Sequence, residues 1–201
     1  RIKGIMFIIA SALGFAMMSA FVKLAGDLPS FQKVFFRNLV SAIIAFWLII
    51  KHKGSLTGKK ENLKVLLYRS IFGTLGVIFN YYAIDKLMLS DANMLNKMSP
   101  FLVVIFCAIA LKEKINVKQI GAIIIAFIGA LFIIKPTFSV EVIPYLGGIA
   151  GAVFAAMAYT CLRVLGDRED YYTIVFFFSV FSLVTVGPIA FAVYEPMTLM
   201  Q

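Results

Sequence analysis

The sequence predicts an all-α protein, a polytopic bundle of helices that crosses a membrane several times. Of its 201 residues, 62% are hydrophobic and only 14% are charged, and the mean hydropathy is +0.96. Apolar runs of roughly 20 residues, the length that a helix needs to cross the hydrocarbon core, follow one another along the chain. The connections between them are short and contain no proline- or serine-rich linker. This composition is that of a membrane protein and excludes a soluble core.

Seven apolar runs are long enough to span the bilayer as helices. They cover residues 4–24, 31–50, 65–84, 90–111, 117–134, 145–165 and 171–194. Since the connections between successive runs are short, we expect no separate soluble domain.

The basic residues predict the orientation of these spans. If the N-terminus is cytoplasmic, thirteen of the nineteen Lys and Arg residues lie on the cytoplasmic side or at cytoplasmic span ends. Such a bias is typical of membrane topology. It accounts for most of the net charge of +9, so nucleic-acid binding is not needed to explain that charge. We therefore expect a multi-pass protein of the cell membrane with a cytoplasmic N-terminus.

Residues that could carry catalysis or bind a metal are scarce. The two cysteines, Cys107 and Cys161, lie inside apolar runs, and the only histidine, His52, lies in a basic loop. No spacing typical of a disulfide framework or a metal site is present. We expect no cofactor, no metal and no enzymatic activity. A non-transporting scaffold or receptor segment, or less plausibly an intramembrane enzyme, remains the alternative to a transporter.

The fourth apolar run begins with an unusually polar stretch, SDANMLNKMSPF (residues 90–101). At helical spacing Asn93, Asn96, Lys97 and Pro100 share one face. Pro100 has no N–H to donate, and its ring crowds the carbonyl of Asn96, which this pattern predicts to be freed. Polar and charged groups are costly in hydrocarbon unless they face a wet cavity or a partner. The stretch therefore predicts one wall of a substrate cavity, with a helix kink at Pro100.

Other spans bring polar residues to the same predicted depth. At 1.5 Å per residue, Asn93 to Lys97 lie about 5 to 10 Å below the outer boundary. The third span runs in the opposite direction, so Asn80 and Tyr81 reach the same level. The candidate substrate-binding residues are Lys97, Asn96, Asn93, Asn80, Tyr81, Arg37, Lys23 and Tyr159.

Structural alternatives stay open for several candidates. Lys23 could extend to the outer headgroups instead of the cavity. Arg37 could pair with Asp27 or Asp91 as a structural lock. Lys97 is the strongest cavity candidate because it lies next to Asn96 on the face of Pro100.

The charges also predict a class of substrate. Lys23, Arg37 and Lys97 are cationic, whereas the middle of every span lacks Asp, Glu and His. Such a cavity favours a small-molecule substrate that carries a carboxylate or another anionic group.

Small residues predict close helix packing. They are frequent on the sixth span, at Gly147 and Gly151, and on the fifth.

The chain contains an internal repeat. Shifted by 140 residues, residues 12–27 align with residues 152–167 with five identities in sixteen positions. Five spans separate the copies, so the second copy crosses the membrane in the opposite sense, as in inverted-repeat transporters. We expect a first five-helix repeat at residues 1–140 and the first two helices of a second repeat at 141–201. By this arithmetic three further helices complete a set of ten.

Two segments carry a resemblance to a known family. FFRNLVSA (residues 35–42) has an Arg early in the second span. Residues 80–134 combine a polar, proline-containing fourth span, a following Glu113 and a glycine-rich fifth span. These features resemble the EamA-type drug/metabolite transporter superfamily. The resemblance implies ten helices in two inverted repeats, a central cavity and alternating-access transport of small metabolites. It implies no oligomeric state.

Overall fold

The computed structural model describes residues 2–26, 28–111, 117–134 and 142–196. These residues form eight α-helices and two short 3-10 turns and contain no strand, which confirms the predicted all-α class. The helices are α1 (Ile2–Leu24), α2 (Ser30–His52), α3 (Leu63–Lys86), α4 (Leu89–Asn96), α5 (Ser99–Leu111), α6 (Val117–Ile134), α7 (Val142–Leu165) and α8 (Tyr171–Ala192).

Six stretches of the described residues are long and apolar enough to cross a membrane. They are α1, α2, α3 with the turn before it, α4 together with α5, α7 and α8. The ends of their α-helices lie within three residues of the predicted span ends, and the turn before α3 begins five residues before the predicted start of the third span. The predicted fifth span is present as α6, an 18-residue helix. Outward side chains such as Phe132 and Ile125 are 76% and 73% exposed, as expected for helix faces against lipid.

The third and seventh helices pack closely because glycines remove side chains between them. A Cβ atom on Gly151 would lie 3.0 Å from the backbone nitrogen of Asn80. A Cβ atom on Gly76 would lie 3.0 Å from the backbone nitrogen of Ala155. This confirms the close packing predicted for the sixth span. The two glycines of α6, by contrast, have no described atom within 4 Å of the same position.

The second and eighth helices pack antiparallel. At the start of α2, the Gln32 amide donates to Glu195 O (2.9 Å) and accepts from Glu195 N (3.0 Å), just beyond the end of α8. At the other end, Thr173 Oγ1 near the start of α8 donates to Ser55 O beyond the end of α2 (2.7 Å). The two helices are therefore joined at both ends.

Between these ends the α2–α8 interface is partly polar. Asn38 Nδ2 donates to Ser182 Oγ at 2.9 Å, and both residues are fully buried. Towards one end, the rings of Phe35 and Phe191 meet edge-on with centroids 5.4 Å apart. A buried hydrogen bond flanked by aromatic contacts fixes the register of the two helices.

The loop after α2 is also tied to the loop between α7 and α8. Glu169 Oε1 accepts from Lys59 N at 2.8 Å and from Asn62 Nδ2 at 2.7 Å. The rings of His52 and Tyr172 stack with centroids 5.7 Å apart. One end of the bundle is thus held together by loop contacts as well as by helix packing.

Candidate functional site

The fourth span is broken in the middle of its polar stretch. Helix α4 ends at Asn96 and α5 begins at Ser99. After the break, Phe101 N bonds back three residues to Met98 O (3.1 Å), in place of the four-residue bond of a regular helix. Pro100 has no N–H and cannot continue the ladder across this point. The predicted kink at Pro100 is thus a full interruption that begins three residues earlier.

The break changes the role of the Asn96 carbonyl. The Ser99 hydroxyl donates to this oxygen at 2.8 Å. The carbonyl that Pro100 frees is therefore bonded locally and is not left open to a substrate, as the sequence pattern had suggested. Of the side chains nearby, Asn93 and Asn96 are half-buried and Lys97 is exposed.

Lys97 lines a cleft of about 380 Å³ against the first helix. The other lining residues are Phe7, Ile8, Ser11, Ala12 and Phe15. Ser11 and Ala12 lie near the middle of the 23-residue α1, so Lys97 is level with the middle of that helix. Counting 1.5 Å per residue from Leu89 puts Lys97 about 12 Å along its span, which is deeper than the expected 5 to 10 Å. An ammonium group thus faces a largely apolar cleft.

The structure places Lys23 at a helix end and not in the Lys97 cleft. Its ammonium nitrogen bonds to three carbonyl oxygens at the end of α3, those of Ile84 (2.8 Å), Asp85 (3.2 Å) and Leu87 (2.9 Å). Carbonyls at a helix C-terminus lack partners in the helix and attract cations. This arrangement supports a capping function for Lys23.

Arg37 and Tyr81 lie near each other, between α2 and α3. The two side chains are within electrostatic range, and Tyr81 is buried with no hydrogen-bond partner for its hydroxyl among the described residues. Arg37 is half-buried, and its Nη1 makes a long 3.4 Å contact with Asn38 Oδ1. Asn80 is half-buried where α3 approaches Gly151 of α7.

Arg37 was expected to pair with Asp27 or Asp91. Asp27, one expected partner of Arg37, lies outside the described residues, as does Glu113. Asp91, the other expected partner, is buried and accepts hydrogen bonds from the hydroxyls of Tyr145 and Ser90. Tyr159 lies on α7 and is 45% exposed.

The strongest described polar cluster was not among the sequence candidates. Lys33 Nζ lies 2.6 Å from Asp85 Oδ1 and also donates to Gly26 O at 2.7 Å. Ser30 Oγ donates to Asp85 Oδ2 at 2.6 Å. The signal in the sequence was an isolated Lys in an apolar run, one helical turn before Arg37.

Arg69 is also absent from the sequence candidates, because membrane topology alone explains a basic residue near a cytoplasmic span end. In the structure its guanidinium lies over the Phe178 ring, with Cζ 4.5 Å from the centroid.

Among the described residues no three His, Cys, Asp or Glu side chains come together in a group that could hold a metal ion.

The chain is similar to several known membrane proteins. It is 32% identical over 187 residues to the pseudopaline exporter CntI of Pseudomonas aeruginosa UCBPP-PA14, which covers 92% of this chain and 65% of that protein. It is 27% identical to human solute carrier family 35 member G1, over 90% of this chain and 53% of the relative. An uncharacterized transporter of Helicobacter pylori J99 is also 27% identical, over 88% of this chain and 60% of the relative.

The chain therefore spans somewhat less than two thirds of the length of these relatives. No solved structure is significantly similar to it. The EamA-like transporter family matches residues 2–135, which include helices α1 to α6, and therefore the broken fourth span and Lys97. Since this match covers most of the chain, the protein belongs to the EamA-like transporter family.

Proposed function

We propose that the intact protein is a membrane carrier that moves small polar solutes by alternating access, without catalysis. The observation that carries the proposal is the broken fourth span, whose Lys97 faces an open cleft that is otherwise lined by α1. Interrupted membrane helices are typical of transporter binding sites, because backbone irregularity is tolerated only where it lines a cavity or is buried in protein. Family membership supports the same conclusion.

The contacts between α2 and α8 support two inverted repeats, at residues 1–140 and from 141 onwards. If the 140-residue offset relates these helices, Gln32 is equivalent to Tyr172, and Ser55 is equivalent to Glu195. The Gln32–Glu195 contact at one end should then correspond to a contact between Tyr172 and Ser55 at the other end. At that end, Thr173 bonds to Ser55, and the ring of Tyr172 lies over Gly54. The two end contacts thus match under the offset to within one residue. Antiparallel packing of α2 on α8 agrees with an offset of five spans, an odd number, between equivalent helices of the two repeats.

The charge of the cleft favours solutes that carry a carboxylate. Among these, amino acids and related zwitterions are the first class of substrate that we propose. Lys97 is the charged group of the cleft lining, and the described lining contains no carboxylate. An ammonium group in largely apolar surroundings attracts an anion. Asn93 and Asn96 could then supply hydrogen bonds to the remainder of the solute.

Orientation is part of the proposal, with the N-terminus and the α2–α3 loop cytoplasmic. A cysteine introduced at exposed Thr57 should react with an impermeant maleimide only from the cytoplasmic side, in a protein without its native cysteines. A cysteine at exposed Lys86, at the opposite end of α3, should react only from outside. The reverse pattern would contradict the orientation while leaving the carrier function untouched.

Transport itself can be tested in proteoliposomes made with the intact protein. A panel of radiolabelled amino acids and dicarboxylates should show saturable uptake that is absent from empty liposomes. Lys97→Met should reduce uptake by about tenfold or more, the loss expected when a hydrogen bond to a charged group is removed. The matched control is Lys86→Met, which removes an exposed cation outside the cleft. Unchanged uptake by Lys97→Met would disprove the site, and absence of uptake for every solute would weigh against a carrier.

A further inference from the structure

Arg69 of α3 lies over the Phe178 ring of α8, within electrostatic range of Tyr159 and Cys161 of α7, and it does not line the cleft of Lys97. It is the seventh residue of α3. Gly73, one turn further along, leaves room for its guanidinium, because a Cβ atom there would lie 2.1 Å from Arg69 Nη1. The same Cβ atom would lie 2.9 Å from the Phe178 ring of α8. The absence of a side chain at residue 73 thus allows the guanidinium to insert between the two helices.

The guanidinium is only partly satisfied there. Its Nε and Nη1 atoms are buried and have no hydrogen-bond partner among the described residues. The Phe178 ring attracts the positive charge, but a ring face does not replace an oxygen acceptor for buried N–H groups. The Arg69 side chain as a whole is only half-buried, so part of it remains accessible.

Among the described residues, no acid lies within electrostatic range of Arg69. The groups within its electrostatic range are Tyr159, Arg37 and Cys161, and none of these described neighbours is a carboxylate. Arg37 is a second cation, and two cations close together in low dielectric favour binding of an anion. Tyr159, which is 45% exposed, adds a hydroxyl donor at the accessible side.

Further donors in the same pair of helices also lack acceptors. Thr74 follows Gly73 in α3, and Ser179 follows Phe178 in α8. The hydroxyl oxygens of both residues are buried without a hydrogen-bond partner in the described part of the chain. Buried polar groups in folded proteins are nearly always paired, so the unpartnered Nε and Nη1 atoms of Arg69 indicate an acceptor that binds there.

We propose that Arg69 forms a second anion-binding site, beside Arg37 and Tyr159, that takes the carboxylate of the solute. This inference rests on the proposed carrier function, and the Arg69 site would be used at a different stage from the Lys97 cleft. A guanidinium fits a planar carboxylate because two parallel N–H groups reach its two oxygens.

Arginine protection tests the site without any variant. The intact protein in detergent is treated with phenylglyoxal, and modification of Arg69 and of exposed Arg168 is followed by peptide mass spectrometry. Sodium acetate at twice its dissociation constant should slow modification of Arg69 about threefold and leave Arg168 unchanged. Acetamide, and sodium chloride at the same ionic strength, should have no effect. No modification of Arg69, equal protection by chloride, or protection by phosphate but not by acetate would overturn the proposal.

Variants separate this proposal from the carrier function. In proteoliposomes Arg69→Met should reduce carboxylate uptake about tenfold, Arg69→Lys less, and the matched control Arg168→Met should not change it. If uptake depends on Lys97 but not on Arg69, the second site is disproved and the carrier function stands. If no solute is taken up, acetate protection of Arg69 still decides whether the anion site exists.

Discussion

The Lys33 ammonium lies 2.6 Å from Asp85 Oδ1, with the two side chains only 4% and 15% exposed. This pair joins the start of α2 to the end of α3. Ser30 bonds to the second carboxylate oxygen at 2.6 Å, and Lys33 also reaches the Gly26 carbonyl beyond α1. Three helices are therefore held together through one buried ion pair. Such pairs are more sensitive to the loss of one partner than to the loss of both.

Removing one member of this pair should destabilise the protein strongly. Asp85→Asn leaves the Lys33 ammonium buried without its counterion, at a cost of about 3 to 5 kcal/mol. The double variant Lys33→Met/Asp85→Asn should recover a large part of that loss. The measurement is the temperature at which buried Cys107 becomes reactive towards a fluorescent maleimide in a Cys161→Ala background. A double variant no more stable than Asp85→Asn would contradict the expectation.

Lys23→Met should affect stability and not solute binding. Its ammonium bonds to three carbonyls at the end of α3, and its side chain is otherwise exposed. We expect a loss of about 1 to 2 kcal/mol, less than for a buried charge. The same maleimide assay measures the stability loss, and the uptake assay should give an unchanged KM. A raised KM with normal stability would instead place Lys23 in the substrate path.

Repairing the break in the fourth span should reduce transport without destabilising the fold. Ser99→Ala/Pro100→Ala restores an N–H at residue 100 that can bond to Asn96 O, so α4 and α5 can join. We expect unchanged or higher thermal stability and about tenfold slower uptake, as for a misplaced Lys97. Pro188→Ala is the control, because Pro188 lies inside α8 and away from this break. Equal effects of both changes would argue against a specific function of the interruption.

Gly151→Val should destabilise the bundle, because a Cβ added at residue 151 would lie only 3.0 Å from the backbone nitrogen of Asn80. Backbone atoms cannot move aside as a flexible side chain can, so we expect a loss of about 1 to 3 kcal/mol from overpacking. Gly121→Val on α6 is the matched control, since no described atom lies within 4 Å of its Cβ position. If the two variants unfold at the same temperature, α3 and α7 are not packed as described.

Most of the helix pattern could be predicted because hydrocarbon demands long apolar segments with internally bonded backbones. The polar residues at 93–97 could likewise be read as unusual from sequence alone. The break after Asn96 was predicted only as a kink, since one proline does not reveal how the neighbouring carbonyls find partners.

The tertiary partners of charged groups were the hardest to predict. Lys23, Lys33 and Arg69 all lie in apolar runs, and each has a different environment in the structure. A helix end, a carboxylate and an aromatic ring are brought to them by segments distant in the sequence. Periodicity places a residue on one face of its own helix, but it does not identify the helix that packs against that face.

The joining of α2 and α8 at both ends bears on the permeability of the membrane. Gln32 and Glu195 make two hydrogen bonds at one end, and Thr173 makes one at the other. At about 1 kcal/mol for each neutral bond, either end can separate at modest cost, on timescales usual for helix motions. With both ends joined, α2 and α8 are not separated at either end. In the proposed carrier, this helix pair would therefore offer ions no open path between turnovers.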